Sequence, residues 1–382
     1  MASRRERRLQ RLQGRGEKRA EEPAASDAPL HTVRPKENLF HRVYNRHYRA
    51  LLLIPFLLLI LSLAQIGYQT ATTGDFIHKG VSLKGGLTIT VPVHGEPVSP
   101  DAIQGLLSTK YPTNDVVVRG ISELGQLKGL EIEAAADTER KEDLQPLEQG
   151  IVAVVAEKIP TAPKEYSVAV IGPSLGAAFF DQVLRALCIA FILMAMVIFL
   201  SFGEHTWSKI VTVFLSLIAS FLIFNAHGWL MITVILVISA ALVYLYISYS
   251  VPSSYVILCA FSDIVVTLAV VNLIGLKVSS AGVAAFLMLV GYSVDTDILL
   301  TTRVLKYKKG TVYERVLSSM KTGLTMSFST MAAALVGYFV SQSSTIKEIM
   351  LIIFIGMIAD IIMTWIQNVS LLRIYVDKKG IE

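Results

Sequence analysis

A chain of 382 residues, 53% of them hydrophobic and only 17% charged, is not a soluble globular protein, which carries about a quarter charged. Its mean hydropathy of +0.55 and its recurring apolar runs, each long enough to cross a bilayer, read as a polytopic α-helical membrane protein. The net charge of +5 does not signal nucleic acid, because the basic residues collect in "MASRRERRLQRLQGRGEKRA", "RVLKYKKGTVYERVLSSMK" and "RIYVDKKGIE", which reads as positive-inside bias and attraction to anionic membrane lipids.

Residues 1–47 are polar and charged, and are expected to form a disordered cytoplasmic N-terminus. Contact of its arginines with ribosomal RNA is the alternative; no nucleic acid partner is expected. The first transmembrane helix falls at residues 48–68, within "RALLLIPFLLLILSLAQIGY". That run is too long for a signal-peptide core and lacks a small-residue cleavage site, so it reads as an uncleaved helix.

Residues 69–180 have an ordinary soluble composition, with acidic residues outnumbering basic ones, and are expected outside the cytoplasm. "GLTITVPV" alternates as a strand, and "SPDAIQGLLSTKY" opens with a helix start. "DVVVRGISE" and "KGLEIEAAA" form a hairpin around "LGQL", and "DTERKEDLQPLEQGIVAVVAEKI" is a helix that Pro146 divides. "EYSVAVIGP" closes the set, giving one extracytoplasmic α+β domain of ferredoxin-like βαββαβ order. It holds no residue cluster of metal spacing, no Ser-His-Asp candidate and no phosphate loop. It reads as a binding module rather than an enzyme, with no cofactor or metal.

The bundle occupies residues 181–374, with spans near 182–202, 208–226, 229–249, 254–275, 280–302, 322–341 and 346–372, and residues 375–382 form a tail. Eight spans put both termini on one side, and the basic clusters make that side cytoplasmic. Cys188 and Cys259 lie in spans, so the outer domain needs no oxidising compartment.

Four acids interrupt these spans: Asp263, Asp295, Asp297 and Asp360. Each costs roughly 2.5–3.5 kcal/mol if ionised at a helix centre, so they are expected to face the bundle interior. Asp295 and Asp297 are turned about 200° from each other and cannot both meet the same neighbour. Together with Lys321 they suggest an interior that exchanges a proton, with Asp295 first in line and Lys321 as the alternating partner of a carboxylate. The competing reading is that the acids only bridge helices by hydrogen bonds. Arg303, at the start of a basic loop, is expected to anchor the cytoplasmic end. Lys84, Gly85 and Gly86, with Gly172, Pro173 and Gly176, are expected to shape the two crossings between domain and bundle.

Three motifs, in order, resemble those of SecF proteins in the SecD/SecF family. "GVSLKGGLTITV" is similar to the "GIDFKGG"-type signature after the first span, "VIGPSLG" to the "VGPSLG" before the second, and "GYSVDTDILLTTRVLK" to the fourth-span motif in its archaeal form. The resemblance covers about residues 48–378. It implies six core spans, a SecD-like partner, a SecY-type secretion channel, unfolded translocating polypeptide as the client, and coupling to the proton gradient. Three departures stand out: Ser82 replaces a common Asp, Lys321 stands where bacterial members carry Arg, and about residues 205–250 insert an extra helical hairpin. A small-molecule or lipid exporter of the same superfamily and a passive assembly scaffold are the rival readings.

Overall fold

The computed structural model describes residues 48–380, apart from 95–97, 124–125, 139, 160–163, 226–227 and 308–309. The expectation for residues 1–47 lies outside the described residues.

A short helical turn at Tyr48–Leu51 leads into α1 (Leu53–Thr73), which stops at Gly74, whose left-handed backbone lets its N–H bond Thr70 O. After a turn of helix at Val81–Lys84 comes the sheet domain, in the element order β1 (Gly86–Pro92), α2 (Pro100–Lys110), β2 (Val117–Glu123), β3 (Gln126–Ala135), α3 (Lys141–Ala156), β4 (Ser167–Ile171). This is the βαββαβ order that the patterning predicts. The four strands run β2-β3-β1-β4, with every neighbouring pair antiparallel. Strand alternation sends Leu87, Ile89 and Val91 of β1 and Leu130, Ile132 and Ala134 of β3 into one core, beneath Ile103 and Leu107 of α2 and Ile151 and Val155 of α3. Pro146 does not divide α3, which begins only at Lys141. The proline thus sits in the second turn, where it removes a single hydrogen bond near a helix end.

The bundle follows with α4 (Pro173–Phe202), α5 (Thr206–Phe224), α6 (Gly228–Tyr249), α7 (Val251–Ile274), α8 (Ser280–Lys306), α9 (Val312–Val340), α10 (Ser344–Ile362), a π-helical segment at Met363–Asn368, and α11 (Val369–Lys379). Among the described residues, seven stretches are long and apolar enough to span a bilayer, and α6 contributes a shorter apolar run at Thr233–Tyr249. The 30 residues of α4 extend about 45 Å, beyond the roughly 30 Å hydrocarbon core, so this helix reaches directly from β4 into the bundle.

Burial separates centre from periphery. About half of the most apolar window is buried in α7 (56%), α8 (56%) and the α10–α11 span (50%), against 17–22% in the others. The inserted hairpin, α5 and α6, packs beside α4 through Ala195, Phe199, Ala219, Leu242 and Tyr246, away from that centre.

α9 starts ten residues earlier than hydropathy predicts, because Thr311 and Glu314 form a reciprocal cap. Thr311 Oγ1 accepts from the Glu314 N–H, and Glu314 Oε2 accepts from the Thr311 N–H. Arg315 is buried behind it and donates to the Val304 and Tyr307 carbonyls, closing the end of α8.

Candidate functional site

Three of the four intramembrane acids meet at the centre of the bundle. Asp263 from α7, Asp297 from α8 and Asp360 from α10 are each fully buried. The hydroxyl of Thr364 lies 2.9 Å from Asp297 Oδ1 and 3.0 Å from Asp360 Oδ1. Asn368 Nδ2 donates to the same Asp297 oxygen at 2.8 Å, and Ser293 Oγ donates to Asp263 Oδ2. Gln367 Nε2 donates to Ser262 Oγ at 3.2 Å beside them.

Thr364, Gln367 and Asn368 all belong to the π-helical segment. Asp360, Thr364 and Asn368 therefore line one wall, a four-residue repeat of polar side chains in an otherwise apolar helix. A π-helical interruption of this kind characteristically marks functional positions.

The proton count of the cluster is informative. A threonine hydroxyl carries one proton and can donate to only one of the two carboxylates it touches. The other contact is complete only when that carboxyl carries a proton and donates it to the hydroxyl. The second oxygens, Asp263 Oδ1, Asp297 Oδ2 and Asp360 Oδ2, are buried and receive no hydrogen bond among the described residues. No Lys or Arg lies within ion-pair distance of any of the three among the described residues. Three buried, unpaired anions would carry a large desolvation cost. Cys259 Sγ and carboxylate oxygens of Asp263 and Asp297 lie within 4.8 Å of one another, so these are also the donors a cation would use.

Asp295 and Lys321, expected at the heart of the site, are elsewhere. Asp295 is exposed on the outer face of α8, the 200° turn from Asp297 having put the two on opposite sides. Lys321 is exposed on α9 and forms no ion pair with an acid among the described residues. Both lie about 13–17 Å along their helices from the α8–α9 turn, hence at similar depth. Arg303 is half-buried and fastens α8 to α9 by donating to Ser318 O (2.8 Å), Ser318 Oγ (3.2 Å) and Thr322 Oγ1 (3.0 Å), so it ties two helices together rather than simply marking an interface.

At the domain crossings, Gly85 lies against Pro173 and Gly176. Gly85 (φ +93°, ψ 157°) passes so close to the start of α4 that a Cβ there would lie 2.6 Å from Pro173 Cα. A Cβ on Gly176 would lie 2.9 Å from Gly85 N, and one on Gly86 (φ +141°) would strike Ala134 O. Gly172 is the exception, with open space where its Cβ would be. Lys84 approaches Asp115 Oδ2 at 3.6 Å, and Lys277 donates to Asp115 Oδ1 at 2.7 Å. Burial pushes the Asp115 carboxyl up, but Lys277 and Lys84 outweigh it and hold the group below its ordinary 3.8.

The same joint grips the start of α8, the helix that carries Asp297. Gly80 N–H donates to Val278 O (2.9 Å), and Val278 N–H donates to His78 O (2.7 Å). Ser280 N–H donates to Ser82 Oγ (3.1 Å), and Ser279 N–H donates to Glu348 Oε1 (2.7 Å). Ser82 thus does the work of an N-terminal helix acceptor, which the Asp common at this position would also do. Glu348, 5% exposed, is a residue that sequence reasoning missed. From the sheet, Arg119 pairs with Glu133 (2.6 Å) and reaches toward Lys277 O (3.5 Å). Burial raises the Glu133 carboxyl above its ordinary 4.5, with Arg119 opposing.

Residues 222–378 match the family described as "Protein export membrane protein SecD/SecF, C-terminal". The protein-export membrane protein SecF of Pyrococcus furiosus is 30% identical over 87% of this chain and 92% of its own length. That of Methanocaldococcus jannaschii is 31% identical over 87% of this chain and 96% of its own. The crystal structure of SecDF from Thermus thermophilus, a translocon-associated membrane protein, aligns with 97% of this chain at a TM-score of 0.50 and 17% identity. This chain spans 41% of that one and shares its fold. On the strength of relatives that match it nearly end to end, the chain belongs to the SecF family of protein-export membrane proteins.

Proposed function

We propose that this multi-pass membrane protein is an accessory protein-export subunit that works with a SecD partner and drives its sheet domain by proton exchange at Asp263, Asp297 and Asp360. The observation that supports the proton step is the single Thr364 hydroxyl held between Asp297 and Asp360, which can donate to only one of them at a time. Loss or gain of that proton changes which carboxyl Thr364 serves and so biases α8 against the last span. Because α8 begins in the joint made by Ser82, Glu348 and the His78–Gly80 segment, a shift of α8 is passed to the sheet domain.

The exposed polar face of α8 and α9 suits the SecD partner. Asp295, Lys321, Thr325 and Ser329 are exposed there, at a depth where lipid would be costly for them, and a facing subunit with polar groups relieves that cost. Asp295 then acts at the subunit boundary. The basic clusters favour a cytoplasmic position for the termini, with the domain of residues 69–180 outside, where it would handle unfolded polypeptide leaving a SecY-type channel.

The test is export into vesicles with and without an imposed proton gradient, with the SecD partner present. Asp297→Asn and Asp360→Asn are expected to abolish the gradient-dependent increment at normal protein level, while Asp295→Asn weakens co-purification of the partner. Gradient stimulation equal to wild type in Asp297→Asn would remove the cluster from the mechanism.

A further inference from the structure

At the end of the bundle opposite the sheet domain, a cavity of about 540 Å³ opens where the inserted hairpin meets the central helices. Its walls come from the α4–α5 turn, the α6–α7 turn, the end of α8 and the end of α11. That volume lies in the range of ligand sites rather than of packing defects.

The wall is electropositive. Lys306 Nζ donates to Ser201 O at 3.0 Å and sits 5.3 Å from the centre of the Phe202 ring. Lys379 Nζ faces Glu204 Oε1 at 3.4 Å and the Tyr375 ring at 5.2 Å. An ammonium has three donors, and each of these lysines spends one on its hydrogen bond. Two helix N-termini also open here: α5 begins after His205 and α7 after Ser250, and neither start is capped by a side chain. The first-turn N–H groups, of which α7 lacks the one at Pro252, and the two helix dipoles add to the lysines. Against these stands, among the described lining residues, one carboxylate, Glu204.

Beyond the rim the surface turns aromatic and apolar. Trp207 is 76% exposed and Tyr249 46%, and Ile210, Phe214 and Ile247 continue outward along α5 and α6. Aromatics at such a boundary mark the headgroup level of a membrane. The basic residues 1–47 share the sign of the cavity and do not complement it.

We propose that this cavity binds the phosphate headgroup of an anionic lipid, whose acyl chains lie along the inserted hairpin. The lipid joins α5 and α6 to the central helices at a seam where protein contacts leave a void. That gives the hairpin a role in lipid-dependent assembly, separate from proton exchange.

The test uses the purified full chain in nanodiscs of phosphatidylcholine, with phosphatidylglycerol titrated in, read by native mass spectrometry and by the thermal unfolding midpoint. Phosphatidylglycerol is expected to be retained and to raise the midpoint. K306Q/K379Q should bind it about thirtyfold more weakly, from about fivefold for each basic residue at an anionic surface, while K306R/K379R keeps binding. If the glutamine variant does not fold, E204Q serves in its place, and removing the opposing charge should tighten binding severalfold. Equal retention of the two lipids, unchanged affinity in K306Q/K379Q or in E204Q, or equal protection by inorganic phosphate in pure phosphatidylcholine would overturn the assignment.

Discussion

Replacing Gly85 by alanine should uncouple the sheet domain from the bundle without preventing membrane insertion. The backbone at φ +93° and ψ 157° lies in a region essentially reserved for glycine, and holding alanine there costs about 1–3 kcal/mol. The added Cβ would lie 2.6 Å from Pro173 Cα and 2.7 Å from Pro173 N, both backbone atoms of a helix start that cannot swing aside. Relieving such overlap adds about 1–3 kcal/mol, so the joint should lose about 2–6 kcal/mol. Gly172→Ala is the matched control, because its Cβ meets nothing within 4 Å and its φ of −67° suits any residue. Limited proteolysis of purified protein at residues 75–85, together with thermal unfolding of the domain, reads the effect. Gly85→Ala should be cut faster and melt earlier, with Gly172→Ala at wild-type values. Indistinguishable behaviour of the two variants would refute the close-approach argument.

Thr364→Val removes the hydroxyl shared by Asp297 and Asp360 and should cost about 1–3 kcal/mol in thermal stability, since it strands a buried acceptor. A neutral result would mean the hydroxyl is not shared as described. Glu348→Ala should free the N–H of Ser279 and speed hydrogen exchange at the start of α8, whereas Glu348→Gln, which keeps an acceptor, should preserve most of the protection. For pH dependence, the raised Glu133 carboxyl means the folded domain binds more protons than the unfolded chain just above pH 4.5, so the stability it contributes falls as pH rises through its folded value. Glu133→Gln should flatten that limb. The lowered Asp115 carboxyl acts in the opposite sense: its stabilisation is present above about pH 3.8 and is lost as pH falls below that.

How far the sequence foretold this arrangement depends on the residue. Period-two alternation in "GLTITVPV" and the paired hairpin strands placed the sheet domain, because burial on one face enforces that pattern. Asp263, Asp297 and Asp360 stood out because charge within an apolar run always demands an explanation. Which of Asp295 and Asp297 faces inward depends on the rotation of α8 about its axis, and a helix apolar on nearly every side carries little record of that rotation. Charge alone suggests pairing Lys321 with the acids, and the bundle turns it outward. Thr364 and Asn368 carry no charge and so do not signal themselves as the acids do, although their four-residue spacing from Asp360 is a legible clue. The early start of α9 was likewise signalled by the Thr311–Glu314 cap, which hydropathy does not register.

The π-helical turn at Met363–Asn368 holds one residue more than an α-helix would fit into the same length. Such a surplus residue can be passed along a helix by exchanging one carbonyl partner at a time, without unwinding the span. Each exchange rotates the side chains it crosses by about 100°. Moving it past Thr364 would swing the hydroxyl off both carboxylates while Asp360, on the far side, stayed still. Where that one residue sits therefore sets the register in which Thr364 and Asn368 meet Asp297.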